Sequence, residues 1–298
     1  MHAQPLIFGE VLFDHFPDGE TVLGGAPFNV AWHLQALGAR PLMISRVGAD
    51  DQGARVTQAM RTWGMDDGGI QIDSRRATGR VDVDLADGEP RYAIRTDAAF
   101  DAIAAEALPP LAGASLLYHG TLALRESPSR DALDTLRRFC GAPVFLDVNL
   151  RAPWWTPERV LDLVSRARWV KLNREELDCL AGTAGSAEAR ARAWTESFDL
   201  DLVIVTDGAA GAFAVDSAGR VTRPAPPRVA EVVDPVGAGD AFAATVILGL
   251  LHGWELGTTL ARAQTFAAAV VGRRGAISAD PRHYREFNRA WDLAEAAP

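Results

Sequence analysis

The strongest constraint on this chain is a rhythm in which short apolar runs, each long enough for one buried strand, alternate with amphipathic helical stretches. Leu6 to Phe13 reads as a first strand, Phe28 to Leu37 as a helix stopped by Gly38, and Pro41 to Val47 as the next strand. Asp50 or Asp51 is placed to cap a helix that runs through Trp63 and ends at Gly64. Further strand runs fall at Ser115 to His119, Val144 to Asn149, Trp169 to Leu172 and Leu202 to Thr206. Helical patterns at Ser129 to Phe139 and Pro157 to Ala167 lie among them, the second with Thr156 as cap and Pro157 at the first helical position. This alternation predicts an α/β fold with a mostly parallel sheet covered on both faces. One segment breaks the rhythm. Val81, Val83 and Leu85 alternate with Asp82 and Asp84, Asp87-Gly88 marks a turn, and Arg91 to Arg95 returns. That is a hairpin with one apolar face. A lone hairpin is unstable, so the apolar face covers the main core, a partner subunit or a ligand cleft, and a lid is the preferred reading.

Composition excludes several alternatives. With 298 residues, 48% hydrophobic and 23% charged, the chain is neither disordered nor a coiled coil. It shows no internal repeat and no low-complexity linker, and is read as one domain over residues 1–298. Its longest nearly apolar stretch, Ala241 to Leu251, falls short of the roughly 20 residues of a membrane span. The N-terminus has no signal-peptide pattern, and the two cysteines, Cys140 and Cys179, make neither a disulfide framework nor a zinc cage. A reduced, cytoplasmic protein is expected. The formal charge of −9 argues against non-specific nucleic-acid binding. Lys171 is the only lysine, so neither a P-loop nor the strand lysine of a protein kinase is present. Any nucleoside triphosphate must be held by another device.

The sharpest chemistry lies at Asp234-Pro235-Val236-Gly237-Ala238-Gly239-Asp240-Ala241-Phe242, leading into the apolar helix expected at Ala241 to Leu251. Gly237 and Gly239 let the backbone approach a ligand and let N–H groups converge. The helix start adds partial positive charge, giving an anion hole without any lysine. Asp240 at its mouth has two readings. It takes the proton from an attacking hydroxyl while the N–H groups stabilise a phosphoryl group, or it merely caps the helix. A dinucleotide site fits less well, because Phe242 stands where a third glycine is wanted.

This turn does not stand alone. DPVGAGDAF resembles the C-terminal signature of the ribokinase-like (PfkB) sugar kinases, D-T-x-G-A-G-D-x-F. Gly24-Gly25-Ala26-Pro27-Phe28-Asn29 resembles the family's G-G-x-x-x-N signature, and Gly9-Glu10 through Asp14 its first strand with a sugar-binding aspartate. Asp147 to Arg151 resembles the D-x-N-x-R strand end, Asn173 with Glu176 the N-x-x-E motif, and Thr206 to Gly211 the T-x-G-x-x-G loop. These motifs occur in family order and span nearly the whole chain.

The resemblance implies a three-layer α/β/α fold with a small β lid, formed by parts of 14–24 and 71–97, and ATP-dependent phosphorylation of a sugar hydroxyl. Asp240 is then the catalytic base, and the N–H groups of Gly237, Ala238 and Gly239 form the anion hole. Asp14, Gly24, Gly25 and Asn29 hold the sugar, with His33, Arg95 and Arg151 as further substrate contacts. Asn173 and Glu176 sit at the nucleotide phosphates, Glu176 organising Mg²⁺ through water, and Thr206, Gly208 and Gly211 form part of the ATP groove. A monovalent-cation (K⁺) site is implied beside the turn, from Asp234, the carbonyl of Val236 and carbonyls of a later loop that includes Val270, Arg273 and Gly275. Two departures bear on it: Pro235 replaces the usual threonine, and Ala279 stands where a serine is expected. GGAPFNVAWHLQALG and GEVLFD are most similar to bacterial fructokinase-type members, making D-fructose the first expectation. 2-Keto-3-deoxygluconate, ribose, another ketose or a nucleoside are the alternatives, with a catalytically silent sugar-binding regulator as the rival of another class. Packing of two lids implies a homodimer.

Overall fold

The first apolar run divides at Gly9. In the computed structural model, which describes residues 4–86, 89–110, 113–227 and 232–293, β1 (Leu6–Phe8) ends there and β2 (Leu12–His15) begins after a short crossing. Gly9 has φ +151, and a methyl on it would come within 2.4 Å of Pro27 Cγ, so the crossing needs glycine. The expected single strand Leu6 to Phe13 is therefore two strands in two different sheets.

By their contacts the residues form two compact units, Met1–Ala114 with Ala123–Gly141 and Ile277–Pro298, and Ser115–Leu122 with Ala142–Ala276. In the first unit β1, β4 (Leu42–Gly48) and β5 (Ile70–Asp73) are parallel neighbours. A smaller sheet runs in the order β3-β2-β6-β7, with β3 Thr21–Gly24, β6 Gly79–Ala86 and β7 Glu89–Ile94. Val81 and Val83 are buried, as the alternation requires. The turn Asp87-Gly88 lies outside the described residues. Residues 71–73, read from sequence with the hairpin, belong instead to the edge strand beside β4. Helices α1 (Ala26–Ala36), α2 (Asp51–Thr62) and α3 (Ser127–Cys140) complete this unit with the helix Arg282–Ala290. Asp50, not Asp51, is the cap of α2: its carboxylate accepts from Gly53 N at 2.8 Å and also from Thr78.

In the second unit β8 (Leu117–His119), β9 (Val144–Asp147), β10 (Trp169–Asn173) and β11 (Leu202–Thr206) are parallel. Strands β12 (Ala212–Asp216) and β13 (Val221–Thr222) continue antiparallel. β9 stops two residues short of Asn149, whose left-handed backbone (φ +39) turns the chain away. The helices are α4 (Pro157–Val164), α5 (Arg174–Ala181), α6 (Ala187–Phe198), α7 (Ala238–His252) and α8 (Leu256–Val271). Leu146, Val170, Val203 and Phe213 from the strands pack with Val160, Leu177 and Trp194 from the helices in one core. Helix α7 is buried on nearly all sides, and Gly249 lets α8 approach it: a methyl there would lie 2.5 Å from Thr259.

Candidate active site

The glycine turn is the start of α7. Gly237 is the residue before the helix, left-handed at φ +83, and it packs so closely on Ala276 that a methyl would fall 2.4 Å from the alanine Cβ. The helix begins at Ala238, not at Ala241 as the sequence suggested, so Gly239 and Asp240 lie in its first turn. Ala241 N bonds Gly237 O at 2.9 Å, whereas Ala238 N reaches only Pro235 O at 3.4 Å. Gly237, the residue before the helix, has no side chain with which to cap it. An uncapped first turn leaves main-chain donors for a ligand.

The strand loop before α7 is tied down from its flank. Asp234 accepts from Val236 N at 3.0 Å and from Gly275 N at 2.9 Å, which brings Asp234, Val236 and Gly275 together. Val270 O, at the end of α8, accepts from Arg273 N at 3.2 Å.

The single lysine stands close to this turn. Lys171, on β10, faces its register partner Asp147 on β9 and donates to both carboxylate oxygens at 2.8 and 2.9 Å. Tyr118 Oη reaches Asp147 as well, at 3.3 Å. Lys171 and Asp147 are 8% and 2% exposed. Burial opposes the ammonium, but the Asp147 charge and hydrogen bonds outweigh it, aided by Glu176 and Asp240, and hold Lys171 protonated above its ordinary range. A methyl built on Gly239 would lie 3.7 Å from Lys171 Nζ. Periodicity identified β10 but could not place this side chain beneath a helix start so distant in sequence.

Asn173 and Glu176 open α5 as a reciprocal capping box: Asn173 Oδ1 accepts from Glu176 N and Glu176 Oε2 from Asn173 N, both at 2.8 Å. Glu176 Oε1 accepts from Leu150 N at 2.8 Å, which ties the end of the D-x-N-x-R segment to α5. Burial raises Glu176 above the usual carboxylate range, with the Asp147 charge adding, although these N–H groups and Lys171 pull the other way. Arg151 is exposed. Thr206 ends β11, and Gly208 to Gly211 form a tight turn closed by Asp207 N to Gly211 O at 2.8 Å. Two residues that the motifs did not single out hold this turn. Gln264 Oε1 accepts from Ala212 N at 2.9 Å, and Arg174 pairs with Asp207 at 2.9 Å.

In the first unit the space left by the absent side chain of Gly24 faces both Asp14 Oδ2 and Asn29 Oδ1, at 3.9 and 3.8 Å. Gly25, at φ +109, caps α1, and a methyl there would meet Glu10 O at 2.8 Å. The structure thus brings Asp14, Gly24, Gly25 and Asn29 together as a carboxylate and an amide over bare backbone. His33 is different. Its ring has no exposed surface and bonds Tyr284 Oη at 3.1 Å, which makes it a packing group and not a presented substrate contact. Arg95 lies just past β7 and pairs with Asp82.

The model of the pfkB family of carbohydrate kinases matches residues 6–282, and the chain belongs to that family. It is 34% identical to a fructokinase of Klebsiella pneumoniae, over 94% of this chain and 97% of that one. Among solved structures it resembles fructokinase with bound ATP from Xylella fastidiosa, with a TM-score of 0.86, 25% identity and coverage of 98% and 100%. A fructokinase double mutant from Vibrio cholerae, bound to fructose, ADP and a potassium ion, gives a TM-score of 0.81 at 26% identity, covering 95% of this chain and 98% of that one. The fold is ribokinase-like, and the chain is an ATP-dependent sugar kinase.

Proposed function

We propose that the sugar is D-fructose and that Asp240 removes the proton from its acceptor hydroxyl as the γ-phosphoryl group of ATP is transferred. The observation that carries this reading is the glycine-opened start of α7, with Asp240 in its first turn and the N–H of Ala238, held only by a long 3.4 Å bond to Pro235 O, beside those of Gly237 and Gly239. Those donors stabilise charge that develops on the phosphoryl oxygens. Asp14, Gly24, Gly25 and Asn29 bind the sugar, with the small β2-β3-β6-β7 sheet as its lid. Arg95 and Arg151 are assigned as substrate contacts at its margin. Asn173, Glu176, Thr206, Gly208 and Gly211 line the nucleotide site.

Mg²⁺ fits as an outer-sphere partner. Both Glu176 oxygens already accept main-chain N–H groups, and among the described residues no cluster of three or more His, Cys, Asp or Glu is arranged to hold a metal ion. Glu176 would hold the ion through water, as Mg²⁺ favours, and the ion supplies positive charge to the phosphates. Asp234 and the carbonyls of Val236, Arg273 and Gly275 are the proposed holders of K⁺. Both units act as one kinase module, a homodimer joined through the small sheet. Cys140 and Cys179 are free thiols, in keeping with a reducing cytoplasm.

The test is Asp240→Asn in a coupled ADP-release assay. Turnover falls by about 10²–10⁴-fold, the range for loss of a general base, while affinity for ATP and fructose is largely kept. Unchanged turnover removes Asp240 from the base role. A panel of fructose, ribose, 2-keto-3-deoxygluconate and nucleosides tests the substrate. Inert fructose beside a rapidly phosphorylated nucleoside overturns the assignment.

A further inference from the structure

Lys171 poses a question that stability does not answer. Replacing a buried ion pair by apolar groups of similar volume is often neutral or stabilising, so the pair with Asp147 is not explained by folding alone. Every other basic residue that the Lys and Arg count covers is an arginine. An ammonium is a compact point charge with three donors, and a guanidinium is a broad planar fork. Two of the three Lys171 donors go to Asp147, and no third hydrogen bond from the ammonium is made among the described residues. The pair is also a dipole with a definite sense. Beyond the helix's own backbone and Gly239's chain neighbours, Lys171 Nζ is the described atom that a methyl on Gly239 would meet, at 3.7 Å, so the positive end faces the first turn of α7. That turn is uncapped and carries Asp240, whose charge Lys171 feels together with that of Glu176.

We infer that Lys171 is a further catalytic residue: held by Asp147 beneath the first turn of α7, it gives its third N–H to the phosphoryl group that gathers at that turn. This rests on the kinase reading above. In the step, the sugar hydroxyl oxygen forms its bond to the γ-phosphorus as the bond from that phosphorus to the β,γ-bridging oxygen breaks. ADP leaves, the hydroxyl proton passes to Asp240, and Lys171 keeps its protons throughout. Its ammonium adds a fixed positive charge where the main-chain donors supply only partial ones, and it offsets the carboxylate that must stand beside an anion.

A chain with one lysine makes the test direct. Protein labelled with [¹³Cε]lysine shows a single lysine signal, which is followed as AMP, then a non-hydrolysable ATP analogue with fructose, is added. The signal moves with the analogue and stays with AMP, which lacks the β- and γ-phosphates. A signal indifferent to saturating analogue and fructose overturns the assignment. Kinetics provide the second arm. Asp147→Asn with Lys171→Met removes both charges together at similar volume. Its kcat is about 10²-fold below that of the wild type, the loss typical of one transition-state donor, with the fructose KM within about threefold. A kcat equal to that of the wild type overturns the assignment. A wild-type chain that phosphorylates fructose while its lysine signal never moves defeats this inference alone. A wild-type chain that transfers phosphate to no sugar defeats the kinase reading instead, and the lysine signal still decides whether Lys171 meets phosphate.

Discussion

Two buried ion pairs, one in each unit, put the same attraction to different ends. In the first unit Arg125 donates to both oxygens of Asp101 at 2.6 and 2.8 Å and to Arg95 O at 2.6 Å, and its guanidinium lies over the Phe100 ring. Asp101 also accepts from Ala98 N at 2.9 Å. This arrangement fastens loop to loop. In the second unit Lys171 makes two bonds to one carboxylate, beside a helix start with no side-chain cap. Arg125 reaches acceptors on separate segments and ties them together, whereas Lys171 spends its bonds on a single partner and turns its charge toward that helix start.

The contrast can be broken most forcefully at Arg125. Arg125→Met strands the Asp101 carboxylate, which is 2% exposed, and should cost about 3–5 kcal/mol in urea unfolding. Turnover per folded molecule should be largely unchanged, and a kinetic loss exceeding the stability loss would erase the distinction between the two pairs. Gly237→Ala comes next. The methyl must displace Ala276, so kcat should drop by roughly 10²–10³-fold as the first-turn donors move, with the fructose KM little altered. Retained kcat would mean that these donors are not used.

Glu176 sharpens the comparison, since it sits near Lys171 yet has its oxygens filled. Its folded-state proton affinity is raised above the ordinary value of 4.5, so it favours folding when protonated. That contribution is full below pH 4.5 and is lost as pH rises through the raised folded value. Relative to Glu176→Gln, wild-type stability should therefore fall across that interval, by about 1.4 kcal/mol for each unit of displacement. A pH series of urea midpoints for both proteins measures it, and parallel curves would refute the raised affinity. The smallest effect is expected from Asn173→Ala, which opens the capping box and should cost about 1 kcal/mol in the same unfolding assay. No change would show that the box is redundant with the Leu150 bond.

Much of this was legible beforehand, because its signals are local. The Thr156 cap of α4, the Asp50 cap of α2 and the β11 strand at Leu202–Thr206 depend on a few adjacent residues and appear where the pattern places them. Misreadings arose where a distant neighbour decides. Leu6 to Phe13 reads as one strand until Pro27 closes on Gly9. His33 reads as a cleft residue until Tyr284, 251 positions away, takes its ring nitrogen.

The order of motifs along the chain was enough to determine the family, the reaction and the glycine turn, since each motif is a short-range requirement for backbone shape or charge. Which polar groups are spent and which are held ready was decided only by folding. Lys171 is a bare letter in the sequence; it becomes a directed charge because parallel pairing of β9 with β10 sets it opposite Asp147 while α7 begins above it. Hydrogen bonds saturate at close range, and only three-dimensional packing determines which donors come within that range.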